Sequence, residues 1–159
     1  MAELKAIHKE LDLIQDVIKR MAENSFKVKA WMMSIFGGVL ALAKGGLFNT
    51  TETNNSVLPM AFIYLFLVIT VAVFWYLDAF FLWTERLYRK LYAWVVKNRP
   101  NTDKYLYDLN TFVREVNGET IDLLADMDSK FKVAFSKTLL PFYLIPFLFS
   151  LILFLSSLS

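Results

Sequence analysis

No glycine or proline interrupts the chain between Pro59 and Pro100, and a stretch that long without a breaker has few folds open to it. Leu58 to Leu77 carries no charge. Asp78 ends that run, and Glu85, Arg86, Arg89 and Lys90 follow. Pro59 suits a first helical turn. The pattern predicts one long helix through Asn98, its first half apolar enough to cross a bilayer and its second half standing in the cytosol. The junction between the halves holds the chain's densest cluster of charge and aromatic residues. A sensing or signalling event is expected there.

At 57% hydrophobic over 159 residues, the chain is more apolar than ordinary soluble domains. Its apolar residues come in blocks, the pattern of membrane spans. The net charge of +2 says little, but the placement of the charges says more. There is no cysteine, which excludes a disulfide framework, a Cys-ligated zinc site and thiol chemistry. The first apolar run begins only after a long charged segment, so no cleaved signal peptide is expected.

In the first segment, Leu4, Ile7, Leu11, Ile14, Ile18 and Met21 alternate by three and four, with Lys9, Glu10, Asp12, Asp16 and Lys19 between them. This is the apolar stripe of an amphipathic helix. It fits packing on the protein's own helices, a coiled-coil seam between subunits, or a helix lying on a membrane surface. Lys27, Lys29 and Trp31 form an interfacial anchor. The uncharged run Ala30–Ala43 reaches only about 21 Å at 1.5 Å per residue, so a first span must extend toward Phe48. Gly37, Ala41 and Gly45 repeat every fourth residue, a spacing that lets helices approach closely, within the subunit or in a dimer.

Asn49–Val57 reads as an external loop without Lys or Arg. Trp75, Tyr76 and Trp83 form an aromatic belt near the inner end of the second span. Pro100 stops the long helix, with Asn101 or Thr102 as the next cap. The spacing of Leu106, Leu109, Val113 and Val116 predicts a short helix over 103–116. Asn117-Gly118 is a turn signal, with a second helix starting near Glu119. Lys130, Lys132 and Lys137 mark an inner flank. The uncharged run Thr138–Ser159 is long enough for one span and is kinked at Pro141 and Pro146. The expected fold is an all-α integral membrane protein with three transmembrane helices and cytosolic helical extensions, N-terminus in and C-terminus out. Its parts are a cytosolic amphipathic helix (1–28), two transmembrane helices with a short external loop (29–83), a cytosolic helical region (84–137) and a third transmembrane helix (138–159).

Candidate chemistry centres on Asp78. A charge near membrane depth is costly, about 3 kcal/mol at the bilayer centre. Asp78 is therefore either a solvated boundary residue or a buried acid paired with Arg20 or Lys29. Asp78, Glu85 and Arg89 share one helix face, and Glu85 and Arg89 form a favourable pair four residues apart. Tyr88 and Tyr92 border that face. Arg20, Asn24 and Lys29 lie at the matching depth on the first helix. Together these residues make either a pocket for a nucleotide-like anion, with Arg gripping phosphate and Tyr stacking, or an ion-pair network between two helices. No catalytic constellation, phosphate loop or metal motif is visible, His8 is the sole histidine, and Asp126 with Asp128 is a weak cation candidate. The spans offer few polar groups (Ser34, Tyr64, Thr70, Ser150), so a wide aqueous pore would need several subunits.

Three stretches carry a resemblance: Arg20–Trp31 before the first span, Leu77–Tyr92 after the second, and Phe135–Tyr143 at the third. Together they resemble a family of small bacterial membrane proteins associated with antiphage defence loci, in which a TIR-domain or nucleotidyltransferase partner makes a nucleotide signal. The resemblance implies a non-enzymatic effector of the bacterial inner membrane, without a cofactor and with no nucleic acid polymer as partner. Such an effector homo-oligomerises and permeabilises or depolarises the membrane when the cytosolic signal binds. Arg20, Asn24, Lys29, Asp78, Glu85, Arg86, Tyr88 and Arg89 become candidates for ligand binding or gating. Ile7, Leu11, Ile14, Ile18, Met21, Gly37, Ala41 and Gly45 become candidates for oligomer or helix packing. The alternative is a non-conducting anchor or scaffold for a cytosolic partner protein.

Overall fold

The structure, a computed structural model, describes residues 2–44, 60–99, 104–111, 114–116, 119–125 and 127–158. The expected loop 49–57, Pro59, Gly45, Phe48, the Pro100 stop with Asn101 and Thr102, Val113, Asn117-Gly118 and Asp126 lie outside these residues. Two helices dominate, α1 (Ala2–Lys44) and α2 (Met60–Asn98). Both are long and apolar enough to cross a membrane. They run antiparallel, because contacts climb α1 as they descend α2: Glu10 with Arg99, Gln15 with Tyr92, Ser25 with Asp78.

Each long helix forms for the reason the sequence suggests. Neither carries a proline inside its bounds, and α2 lacks glycine as well. Their shared seam is rotated from the expected stripe. On α1 the buried positions are Glu10, Ile14, Val17, Ser25, Val28 and Met32, whereas Leu4 is exposed and Ile7, Leu11, Ile18 and Met21 are half-buried. Two of the seam positions are therefore polar. The amphipathic segment packs within its own chain: Ile14 joins Leu87, Leu91, Trp94, Val95 and Leu123, with Leu11, Ile18 and Tyr88 against them. Burying each such side chain contributes about 1.5–3 kcal/mol.

The region between α2 and the last helix departs from expectation. None of the described residues within 103–116 is helical. Residues 104–107 form a turn in which Tyr105 and Tyr107 take positive φ, 66° and 63°. That left-handed backbone cannot continue a right-handed helix. Two short strands follow, β1 (Arg114–Val116) and β2 (Glu119–Ile121), paired antiparallel with Val116 opposite Glu119. Glu119 therefore belongs to a strand and does not start a helix. The next helix is only α3 (Lys130–Ala134), capped by the Ser129 hydroxyl accepting from the Lys132 N–H.

The last helix, α4 (Leu140–Ser156), has Pro141 in its first turn and Pro146 inside. It is apolar but short for a span. A second core forms where α3 and α4 meet the long pair, from Met32, Val71, Ala79, Val133, Leu139 and Tyr143. Beyond it, large apolar side chains face outward on all three apolar helices, among them Trp31, Ile35, Phe62, Phe66, Ile145 and Ile152. An apolar surface of that extent is consistent with lipid contact.

Candidate functional site

The first link in the site is local. Asp78 falls one residue after the uncharged run of α2, on the α1-facing side, and has no exposure at all. Lys29, a turn after Ser25 on α1, places its Nζ 2.5 Å from Asp78 Oδ2 and donates to Ser25 Oγ at 2.8 Å. Ser25 donates its hydroxyl to Asp78 Oδ1. The third partner comes from α4, whose buried Tyr143 donates to Asp78 Oδ2 at 2.9 Å. One carboxylate thus accepts from two helices besides its own. A buried charge is tolerated only when it is paired and hydrogen-bonded in this way.

Aromatic residues brace this knot. Trp75 stacks on Tyr143, centroids 6.0 Å apart and planes 6° apart, and its indole N–H donates to the Ala134 carbonyl at 2.9 Å. The Trp83 indole donates to the Asp128 carbonyl at 2.9 Å. Of the expected belt, Tyr76 faces outward, while the two tryptophans hold α3 and its approach against α2. Asp128 also takes Lys132 at 2.6 Å and Arg86 at 4.0 Å. The Lys132 hydrogen bond, with the charges of Lys132, Arg86 and Lys90, holds the Asp128 carboxyl below the usual carboxylate range despite a smaller opposing desolvation.

One heptad beyond Asp78, Glu85 is nearly buried and accepts from Arg89 Nε at 2.9 Å and Nη2 at 2.7 Å. Both nitrogens meet the same oxygen, Glu85 Oε1, and Arg89 reaches outward from this pair into a groove lined by Gln15, Ile18, Lys19, Arg89 and Tyr92, about 420 Å³ in volume. Gln15 Nε2 donates to the Tyr92 hydroxyl at 3.3 Å across it. Two cations, an amide and a tyrosine ring thus share one cleft, a set able to hold an anion bearing a flat ring.

The expected single pocket is therefore divided. Lys29 and Asp78 are joined in the buried knot, Glu85 and Arg89 flank the groove, and Gln15 and Lys19 supply what Arg20 and Asn24 were expected to supply. Arg20 is exposed beside Leu13, Asp16, Val17, Glu23 and Leu109. Asn24 is half-buried. Arg86 turns to Asp128, and Tyr88 packs in the core. Gly37 and Ala41 are exposed, and a Cβ added at Gly37 or Gly38 would meet nothing within 4 Å, so among the described residues no helix packs closely on Gly37 or Gly38.

Sequence reasoning missed a second buried pair. Glu10 and Arg99 are both fully buried and bind in bidentate fashion, with Arg99 Nε 2.6 Å from Glu10 Oε2 and Nη2 on Oε1. Arg99 also donates to the carbonyls of Lys104 at 2.6 Å and Tyr105 at 2.7 Å. The available signal was the spacing of Glu10, four residues before Ile14 and seven before Val17, on the core side of α1. Among the described residues no group of three His, Asp or Glu side chains is arranged to hold a metal.

Set against known protein families, curated proteins and solved structures, the chain matches none of them.

Proposed function

We propose that this chain is a membrane effector that binds a nucleotide-type anion outside the bilayer and, as a homo-oligomer, permeabilises or depolarises a bacterial inner membrane. In this reading α1, α2 and α4 cross the membrane, with the N-terminus and residues 84–137 in the cytosol and the C-terminus outside. The resemblance to antiphage-defence membrane proteins supplies the biological setting. The observation that carries the reading is Asp78. A carboxylate with no exposure, on a helix with a span-like half, has its lone pairs taken by Lys29 and Ser25 of α1 and Tyr143 of α4. Such a junction has few alternative arrangements, so it moves as a unit.

The groove at Lys19, Arg89 and Tyr92 lies about 15 Å along α1 from Lys29, ten residues at 1.5 Å each. That separation keeps it clear of lipid headgroups and open to a soluble ligand. A ligand that draws Arg89 from Glu85 changes the charge balance on the same face of α2 as Asp78. It shifts the population of the assembly only as far as it binds one arrangement better than another.

The test is dye or ion flux from liposomes holding the purified protein, against a panel of nucleotide messengers. Induced flux in the wild type is expected to be lost in Arg89→Ala, with insertion unchanged. Tyr143→Phe keeps the ring on Trp75 but removes its hydrogen bond to Asp78, and is expected to weaken flux while ligand binding persists. Wild-type flux in both variants would remove this face from the mechanism. A wild-type protein that binds but never conducts would be an anchor or scaffold.

A further inference from the structure

We propose that the cleft between α1 and α4 holds one acyl chain of an anionic phospholipid. Both helices pack on α2, and between them runs a cleft of about 520 Å³ lined by Met33, Phe36, Pro141, Phe142 and Ile145, with Thr138 at one end. The lining is apolar except at Thr138. One turn beyond Ile145, Phe36 meets Phe149 edge-on at 6.3 Å. The Thr138 end carries the polar groups: the Thr138 hydroxyl shares a hydrogen bond with Ser136 at 3.1 Å, and Lys137 between them is exposed and makes no ion pair among the described residues.

That gradient, an apolar slot with the Thr138 hydroxyl at one end and the exposed Lys137 next to it in the chain, is complementary to an amphiphile with a negative head. It suits neither a soluble anion, which would leave the slot unfilled, nor a second copy of α1, whose small residues Ser34, Gly37 and Ala41 lie on another face. A bound chain would bridge α1 and α4, which otherwise meet chiefly through α2 and the Asp78 knot. The proposal rests on α1 and α4 lying in the bilayer and not on ligand binding at Arg89. A chain recovered from cells without detergent would sink that premise separately.

The experiment is native mass spectrometry of the full chain released from nanodiscs containing phosphatidylglycerol and phosphatidylcholine with identical acyl chains. The wild type is expected to keep one phosphatidylglycerol per chain under activation that strips phosphatidylcholine. Lys137→Gln should lower that retention about fivefold, the effect of one basic residue near a headgroup. Ile145→Trp, at a position 72% exposed, should fill the slot and lower retention of both lipids, with circular dichroism confirming an intact fold. Equal retention of the two lipids by the wild type, or unchanged retention in Ile145→Trp, would overturn the proposal. So would a wild-type dimer that Ile145→Trp dissociates, since a second copy would then occupy the cleft.

Discussion

Arg99 sits fully buried with its N–H groups taken by Glu10 and two backbone carbonyls. Removing one partner of such a pair leaves the other charged and unpaired, at a cost of about 3–5 kcal/mol. Glu10→Ala should therefore unfold the α1–α2 hairpin at clearly lower denaturant. A double-mutant cycle with Arg99→Ala should show a coupling above about 1 kcal/mol; a cycle closing on zero would mean the two charges do not act as a pair. Asp78 obeys the same rule, but its pairing was half legible. A lone acid directly after an uncharged run, with Lys29 at matching depth, pointed to the ion pair. Ser25 and Tyr143 gave no such signal, because a serine on an amphipathic helix and a tyrosine in an apolar run are ordinary until α4 is docked.

At the scale of elements, α2 is the member that touches α1, α3 and α4 alike. Its continuity past Asp78 is what connects the groove to the knot. Thr84→Pro removes a backbone donor from its interior and costs about 3 kcal/mol or more. It is expected to abolish induced flux while the apolar halves still insert, as judged by carbonate-resistant membrane association. Flux that survives the substitution would show that a continuous rod is unnecessary. The approach to α3 should respond to acid. The folded pKa of Asp128 is depressed from its ordinary 3.8, so its contribution is complete above that value and is lost as pH falls through the lower folded value. The protection factors of amides over 130–134, which correct for the intrinsic pH dependence of exchange, should be flat from pH 7 to 5 and fall only below about 3.8, and Asp128→Asn should remove the fall. The short strands at 114–121 were not legible as strands. Helical spacing in Leu106 and Leu109 competed with a backbone that turns left-handed at Tyr105 and Tyr107, where Arg99 holds the carbonyls of Lys104 and Tyr105.

For the whole molecule, the proposed orientation is open to direct measurement because the chain contains no cysteine. Single cysteines in place of Lys9 or Lys97 should resist a membrane-impermeant maleimide in intact cells, and one in place of Ser157 should react. The reverse pattern would put the Asp78 collar on the outer side and leave the proposed coupling without a cytosolic input.

By itself the sequence determined what depends on neighbours along the chain: two long helices, the apolar half of each, the favourable Glu85–Arg89 pair, and a charge cluster at the end of the second apolar run. Periodicity and the absence of breakers act over a few residues, so they can be read without knowing the fold. Tertiary structure alone decided which partners distant in the chain met Glu10 and completed the shell around Asp78. Glu10 and Arg99 are 89 positions apart, and Asp78 and Tyr143 are 65 apart. A buried charge is stabilised by whatever donor the packing brings to it, and no local pattern records which donor that will be.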